Sequence, residues 1–139
     1  MWTMRLAKTE DYPFIARSYL RSNHGSPQTR AMIPAIYYPE YKSRLEYMVS
    51  SGFVLVACSV DDPDQILGFC IAGAIPAAIH YIYVKLPFRQ LGIAKALAFE
   101  AKPDLGTVYT VVTHQCRNWN RNADKYKLVF APQYSKETK

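Results

Sequence analysis

Arg89, Gly92 and Ala94, in the stretch HYIYVKLPFRQLGIAKALAFEA from His80 to Ala101, have the types and spacing to hold phosphate. A helix that begins here carries unpaired backbone amides and the positive end of its dipole, so its first turn can bind phosphate oxygens. Gly92 lets the chain pass close to a ligand, Ala94 keeps a second position small, and Arg89 adds a fixed positive charge. Just upstream stands His80, whose unperturbed pKa of ~6.5 suits removal of a proton near neutral pH. On an alternating strand His80 and Ile82, two positions apart, share one face. A histidine in an apolar strand is also at home hydrogen-bonded in a core, so both readings stand.

These residues need a strand that runs into a helix, and the surrounding sequence supplies one. AIHYIYVKL (Ala78 to Leu86) is an apolar, β-favouring run closed by Pro87, and from Leu91 the apolar positions take helical spacing: Ile93, Ala94, Leu97, Ala98, Ala101. Before it, FVLVACSV (Phe53 to Val60) and ILGFCIAGAI (Ile66 to Ile75) flank the polar turn DDPDQ and predict an antiparallel hairpin. Trp2 to Ala7 alternates as a first strand. Thr9 is placed to cap a first helix with the stripe Tyr12, Ile15, Ala16, Tyr19 and Leu20, which ends near Asn23. Pro39 suits the first position of a second helix, with Tyr41, Leu45, Met48 and Val49 inside and Gly52 at its end. Downstream, Pro103 stops the long helix, TVYTVVT (Thr107 to Thr113) is a fifth strand, Asn118 to Lys125 a short polar helix, and Tyr126 to Ala131 a final strand. The order is β-α-α-β-β-β-α-β-(α)-β, an α/β (α+β) mixture, and 1–139 reads as one domain.

The pattern V-x-x-x-x-R/Q-x-x-G-x-G/A, present as Val84, Arg89, Gly92 and Ala94, resembles that of the GCN5-related N-acetyltransferase (GNAT) superfamily. The strongest match covers Ala78 to Ala101, and the element order agrees over nearly the whole chain. The resemblance implies a mixed, mostly antiparallel sheet of six or seven strands with a splay between the fourth and fifth. It also implies acetyl-CoA, or another acyl-CoA, as donor, and direct transfer of the acyl group to a primary amine on a small molecule or protein. The amides of Arg89, Gln90, Leu91, Gly92, Ile93 and Ala94 would hold the pyrophosphate, with Lys95 beside them. Val84 would pair its backbone with the pantetheine arm, and the Ile82 amide would donate to the thioester carbonyl. The arylalkylamine branch of the family carries a catalytic histidine at the offset of His80.

A tyrosine on the helix after the fifth strand usually protonates the leaving thiolate, in a pattern N-x-x-A-x-x-x-Y-x-x-x-G-F. Here Asn120, Ala123, Tyr126 and Phe130 stand in its place, but Ala123 to Tyr126 is one residue short and Val129 replaces the glycine. In the family the acceptor lies under the loop between the first two helices. That assigns Tyr37 and Tyr38 to the substrate, near His24, Arg30 and Tyr41, although such rings equally cap a core. The short length and altered ending are similar to those of small phage-encoded members, and they also suit a lapsed enzyme that binds CoA or a protein partner. Family members often dimerise, and the sequence marks no interface.

Composition narrows the rest. Half of the 139 residues are hydrophobic and 20% are charged, which excludes a disordered tail. No apolar run reaches the ~20 residues of a membrane span, and the acidic residues at Glu10 and Asp11 come too early for a secretory leader. Cys58, Cys70 and Cys116 are odd in number and widely spaced, as expected of thiols in a reducing cytoplasm rather than of a disulfide framework or a metal site. The net charge is +6, and six basic residues after His114 (Arg117, Arg121, Lys125, Lys127, Lys136, Lys139) outweigh Asp124 and Glu137 there. Such a balance favours a polyanionic partner. No nucleic-acid-binding module accompanies the charge, and Trp119 alone does not make one.

Overall fold

The computed structural model describes residues 1–116 and 118–137. Arg117 and Lys139 of the basic ending lie outside the described residues. Six strands form one sheet in chain order: β1 (Trp2–Leu6), β2 (Gly52–Ser59), β3 (Ile66–Ala74), β4 (Ala77–Val84), β5 (Thr110–Val112) and β6 (Leu128–Phe130). The first four are antiparallel neighbours, whereas β5 runs parallel to β4 and β6 parallel to β5. Helices α1 (Tyr12–His24) and α2 (Pro34–Ser51) link β1 to β2. Helix α3 (Ile93–Ala101) is the crossover from β4 to β5, and α4 (Trp119–Tyr126) joins β5 to β6.

The central strands read as unbroken apolar runs because helices cover both faces of the sheet. Alternate residues go to opposite sides. Val54, Val56, Phe69 and Ile71 pack with Ile15, Tyr19, Leu45 and Met48 of α1 and α2. Leu55, Ala57, Cys70 and Ala72 pack with Ile93 and Leu97 of α3. Gly52 begins β2 in close quarters, since a Cβ there would come within 2.0 Å of the Ala72 carbonyl oxygen.

The first helix is entered differently from the sequence expectation. A 3-10 turn over Thr9–Asp11 precedes α1, and the Thr9 side chain caps nothing. Asp11 does the work instead, accepting from the Lys8 amide at 2.7 Å and from Arg5 Nη1 at 2.6 Å. Helix α2 starts at Pro34, five residues before the expected Pro39, which is now inside the helix. Proline is tolerated in a first turn because its missing N–H would be unpaired there. Two prolines compete for that role, and the more N-terminal one takes it. Tyr37 and Tyr38 therefore belong to a helix, not to a loop. The fifth strand is shorter than expected, because Thr107 is held in a turn by the Asp104 carbonyl and Gly106 has a φ of +88°.

Candidate functional site

Strand β4 meets β5 at two residue pairs, Ala78 with Val111 and Ile79 with Val112. One further amide, that of Thr113, reaches the Ile79 carbonyl at 3.4 Å. From His80 to Val84 the β5 side of β4 has no strand partner among the described residues, so the sheet opens into a V. On its other side β4 keeps a full ladder with β3, broken by one irregularity. Ile71 opposes Tyr81 and Ala72 opposes Ile79, which leaves His80 as a bulged residue.

The bulge overturns the expectation that His80 and Ile82 share a face. Ile79 and Ile82 both pack on the α3 side, a spacing of three that a regular strand does not allow. His80 instead joins a chain of side chains that leads to Tyr19 of α1, on the opposite side. One inserted residue re-aims the histidine.

Backbone direction along β4 follows from one bond. The Lys85 amide donates to the Leu67 carbonyl of β3 at 2.9 Å. Successive residues of a strand turn their N–H and C=O to opposite edges. Val84 and Ile82 therefore present their backbone groups to the opening of the V. The Val84 carbonyl does accept from that side, from Arg89 Nε at 2.8 Å.

The cradle sits at the end of β4. Gln90 has a φ of +67° and Gly92, the N-cap of α3, a φ of +82°. The Gly92 carbonyl takes the Ala96 amide at 3.0 Å, which leaves the amides of Ile93, Ala94 and Lys95 with no partner within the helix. A Cβ added at Gly92 would meet nothing within 4 Å, so the space beside this N-cap is open. Ile93 is buried and offers only its amide, while Arg89, Gln90, Leu91, Ala94 and Lys95 are exposed. Three free amides, an open approach and two cations fit a polyphosphate.

The remaining candidates are dispersed. Tyr126, the last residue of α4, packs edge-on to Phe99 of α3 with ring centroids 6.2 Å apart, beside Gly106. Tyr37 is fully buried, its hydroxyl donating to the Leu20 carbonyl at 2.7 Å and its ring stacked on His24 at 4.1 Å. Tyr38 lies beside it and is partly exposed. A cleft of about 510 Å³ lined by Gln115, Asn118, Trp119, Asn120 and Arg121 opens where the chain leaves β5. Another of about 550 Å³ lies between Lys8, Phe14, Asp64 and Lys85.

Sequence reasoning missed three residues at the apex of the V. His80 Nδ1 lies 2.8 Å from Thr113 Oγ1, and Thr113 Oγ1 lies 2.9 Å from His114 Nδ1. His114 Nε2 is 2.7 Å from the Tyr19 hydroxyl. Burial pushes His80 down to about 4 and His114 down to about 3, the latter with help from His80 and Arg44, so both rings are neutral at pH 7. Tyr81 closes this wall, its ring 5.5 Å from that of His114 and its hydroxyl 2.6 Å from Ser22 Oγ. The signal was a Thr-His pair ending the strand that runs beside the histidine-bearing one.

A six-stranded mixed sheet with a V between parallel β4 and β5, a bulge on β4 and a glycine-capped turn into α3 form one arrangement. The fold is that of the GNAT acetyltransferases. A crystal structure of a possible acetyltransferase from Clostridium difficile superposes with a TM-score of 0.60 over 100% of this chain and 93% of that one, at 14% identity. A GNAT superfamily phosphinothricin acetyltransferase from Sinorhizobium meliloti, solved in complex with AcCoA, gives 0.51 over 72% and 57%, at 23% identity. Apo YjaB from Escherichia coli gives 0.52 over 73% and 64%, at 18% identity. The chain thus spans less than two thirds of the last two proteins. No protein-family model matches the sequence, and no curated protein matches it significantly. Among the described residues no helix is long and apolar enough to cross a membrane.

Proposed function

We propose that the protein is an N-acyltransferase that moves an acetyl or other acyl group from its CoA thioester to a primary amine by direct attack. The observation that carries this reading is the V itself, with the free backbone edge of Ile82 and Val84 leading to the unpaired amides of Ile93, Ala94 and Lys95. Acyl-CoA would supply the activated thioester. The amides before and within the first turn of α3, with Arg89 and Lys95, would hold its phosphates. Val84 would pair with the pantetheine arm, and the Arg89 guanidinium now on its carbonyl is a removable stand-in for that partner. The Ile82 amide would donate to the carbonyl oxygen where charge develops, a contact worth roughly 3 kcal/mol in the barrier. His80, neutral at the apex, would take the proton that an ammonium acceptor must lose. Tyr38, the partly exposed member of the tyrosine pair, would face the acceptor, with Tyr37 fixed behind it.

The position of Tyr126 against Phe99 favours a second reading, a GNAT-fold protein that binds CoA or a partner without turnover. One pair of measurements separates the two. Acetyl-CoA should raise the melting temperature under both, because it binds the folded state. Release of free thiol with a panel of amines is expected only of the enzyme. No thermal response to acetyl-CoA would remove the enzyme and the CoA-binding form of the second reading, leaving only a protein that binds a partner.

A further inference from the structure

The side-chain chain at the apex has a direction. The Tyr19 hydroxyl is fully buried, and among the described residues its one side-chain partner is His114 Nε2. A buried O–H hydrogen left without an acceptor is costly, and His114 Nε2 at 2.7 Å is the acceptor within its reach, so the phenol donates. His114 Nε2 must then accept, and the neutral His114 ring carries its hydrogen on Nδ1. That hydrogen points to Thr113 Oγ1 at 2.9 Å, so the hydroxyl's own hydrogen goes to His80 Nδ1 at 2.8 Å. His80 carries its hydrogen on Nε2, beside Gly73, where a Cβ would come within 3.0 Å of that nitrogen. His80 thus has one lone pair, and the Thr113 hydroxyl covers it.

We infer that Thr113 is the group through which His80 works, and that Tyr19 and His114 are positioning residues that fix the tautomer this requires. Resting on the acyltransferase reading, the step is a two-proton relay. The N–H bond of the ammonium acceptor breaks and its proton goes to the second lone pair of Oγ1. The existing Oγ1–H bond breaks at the same time, and that proton goes to His80 Nδ1. The amine keeps its electron pair for attack, Thr113 ends as a hydroxyl, and His80 ends as an imidazolium that later returns a proton to water. His114 has no lone pair for the task, since Tyr19 occupies Nε2. Around it stand Arg44 from α2, Tyr81 and His80 from β4, and Tyr19 from α1.

The test begins on the free protein, without cofactor. Long-range ¹H–¹⁵N spectra of histidine-labelled protein at pH 7 should show His80 protonated on Nε2 and His114 on Nδ1. Tyr19→Phe removes the donor that sets the direction, so each histidine should then populate both tautomers. A wild-type His80 protonated on Nδ1 would overturn the inference. In turnover, Thr113→Val should lower kcat about 100-fold with KM within a factor of two, and Thr113→Ser should restore most of it. A Thr113→Val enzyme with wild-type kcat would also overturn it. Absence of thiol release from the wild type with every amine would sink the acyltransferase reading and the relay with it, while the tautomers would still decide the hydrogen-bond direction.

Discussion

The two halves of the sheet are built to different standards. From β1 to β4 every neighbour pair is antiparallel and in register along nearly its whole length, with helices packed on both faces. From β4 onward the pairing is parallel and short, two residue pairs to β5 and three from β5 to β6. The well-paired half supplies rigidity, and the sparsely paired half supplies an opening with free backbone groups along one edge. A site that must admit a strand-like ligand needs both, since the free edge of β4 keeps its shape only because the other edge is fully bonded to β3.

Substitutions in each half should therefore fail in different ways. Gly92→Glu, in the open half, should abolish the acetyl-CoA thermal shift. It forces a side chain onto a φ of +82°, at a cost of about 1–2 kcal/mol that lowers the unliganded melting temperature by several degrees, and it sets a carboxylate before the amides that open α3. Phe69→Ala, in the paired half, should cost about 3–5 kcal/mol of stability in denaturant titration, because Phe69 is fully buried against Phe14 and Tyr83. At temperatures where that variant is folded, its affinity for acetyl-CoA should be near wild type. His80→Ala should lower kcat about 100-fold at pH 7 and much less at pH 9, where amine acceptors are already losing their protons. Equal losses at both pH values would remove His80 as the base.

A further effect concerns acid. His80 and His114 titrate at about 4 and about 3 when folded against 6.5 when free, so the unfolded chain binds protons first. Stability should be complete above pH 6.5 and fall progressively as pH drops through that window towards 4. Asp11, held below the usual carboxylate range by Arg5, should sharpen the loss only at still lower pH. His114→Gln should flatten the slope between pH 6.5 and 4 in a set of thermal melts. An unchanged slope would mean that the apex is not sealed from water.

This contrast also governs what could be read from the sequence. The hairpin β2–β3 and strand β4 were legible within about one to two residues, because burial on both faces demands continuous β-favouring runs such as FVLVACSV. The turn from β4 into α3 was legible because Gly92 and its neighbours solve a local backbone problem. The bulge at His80 was not, since nothing in an alternating pattern marks where one residue is inserted. The start of α2 was ambiguous between two prolines of equal local merit. Thr113, His114 and Tyr19 come together across 95 residues of chain, and only the finished fold shows that a tail-like histidine closes a network.

Strand order in space repeats strand order in the chain. Each new strand is laid against the one made just before it, and none has to be slotted between two already in place. As the polypeptide leaves the ribosome, the four antiparallel strands and the turn that opens α3 can assemble while the last third is still being made. The far wall of the V arrives last, so the cradle is shaped before there is anything to close it.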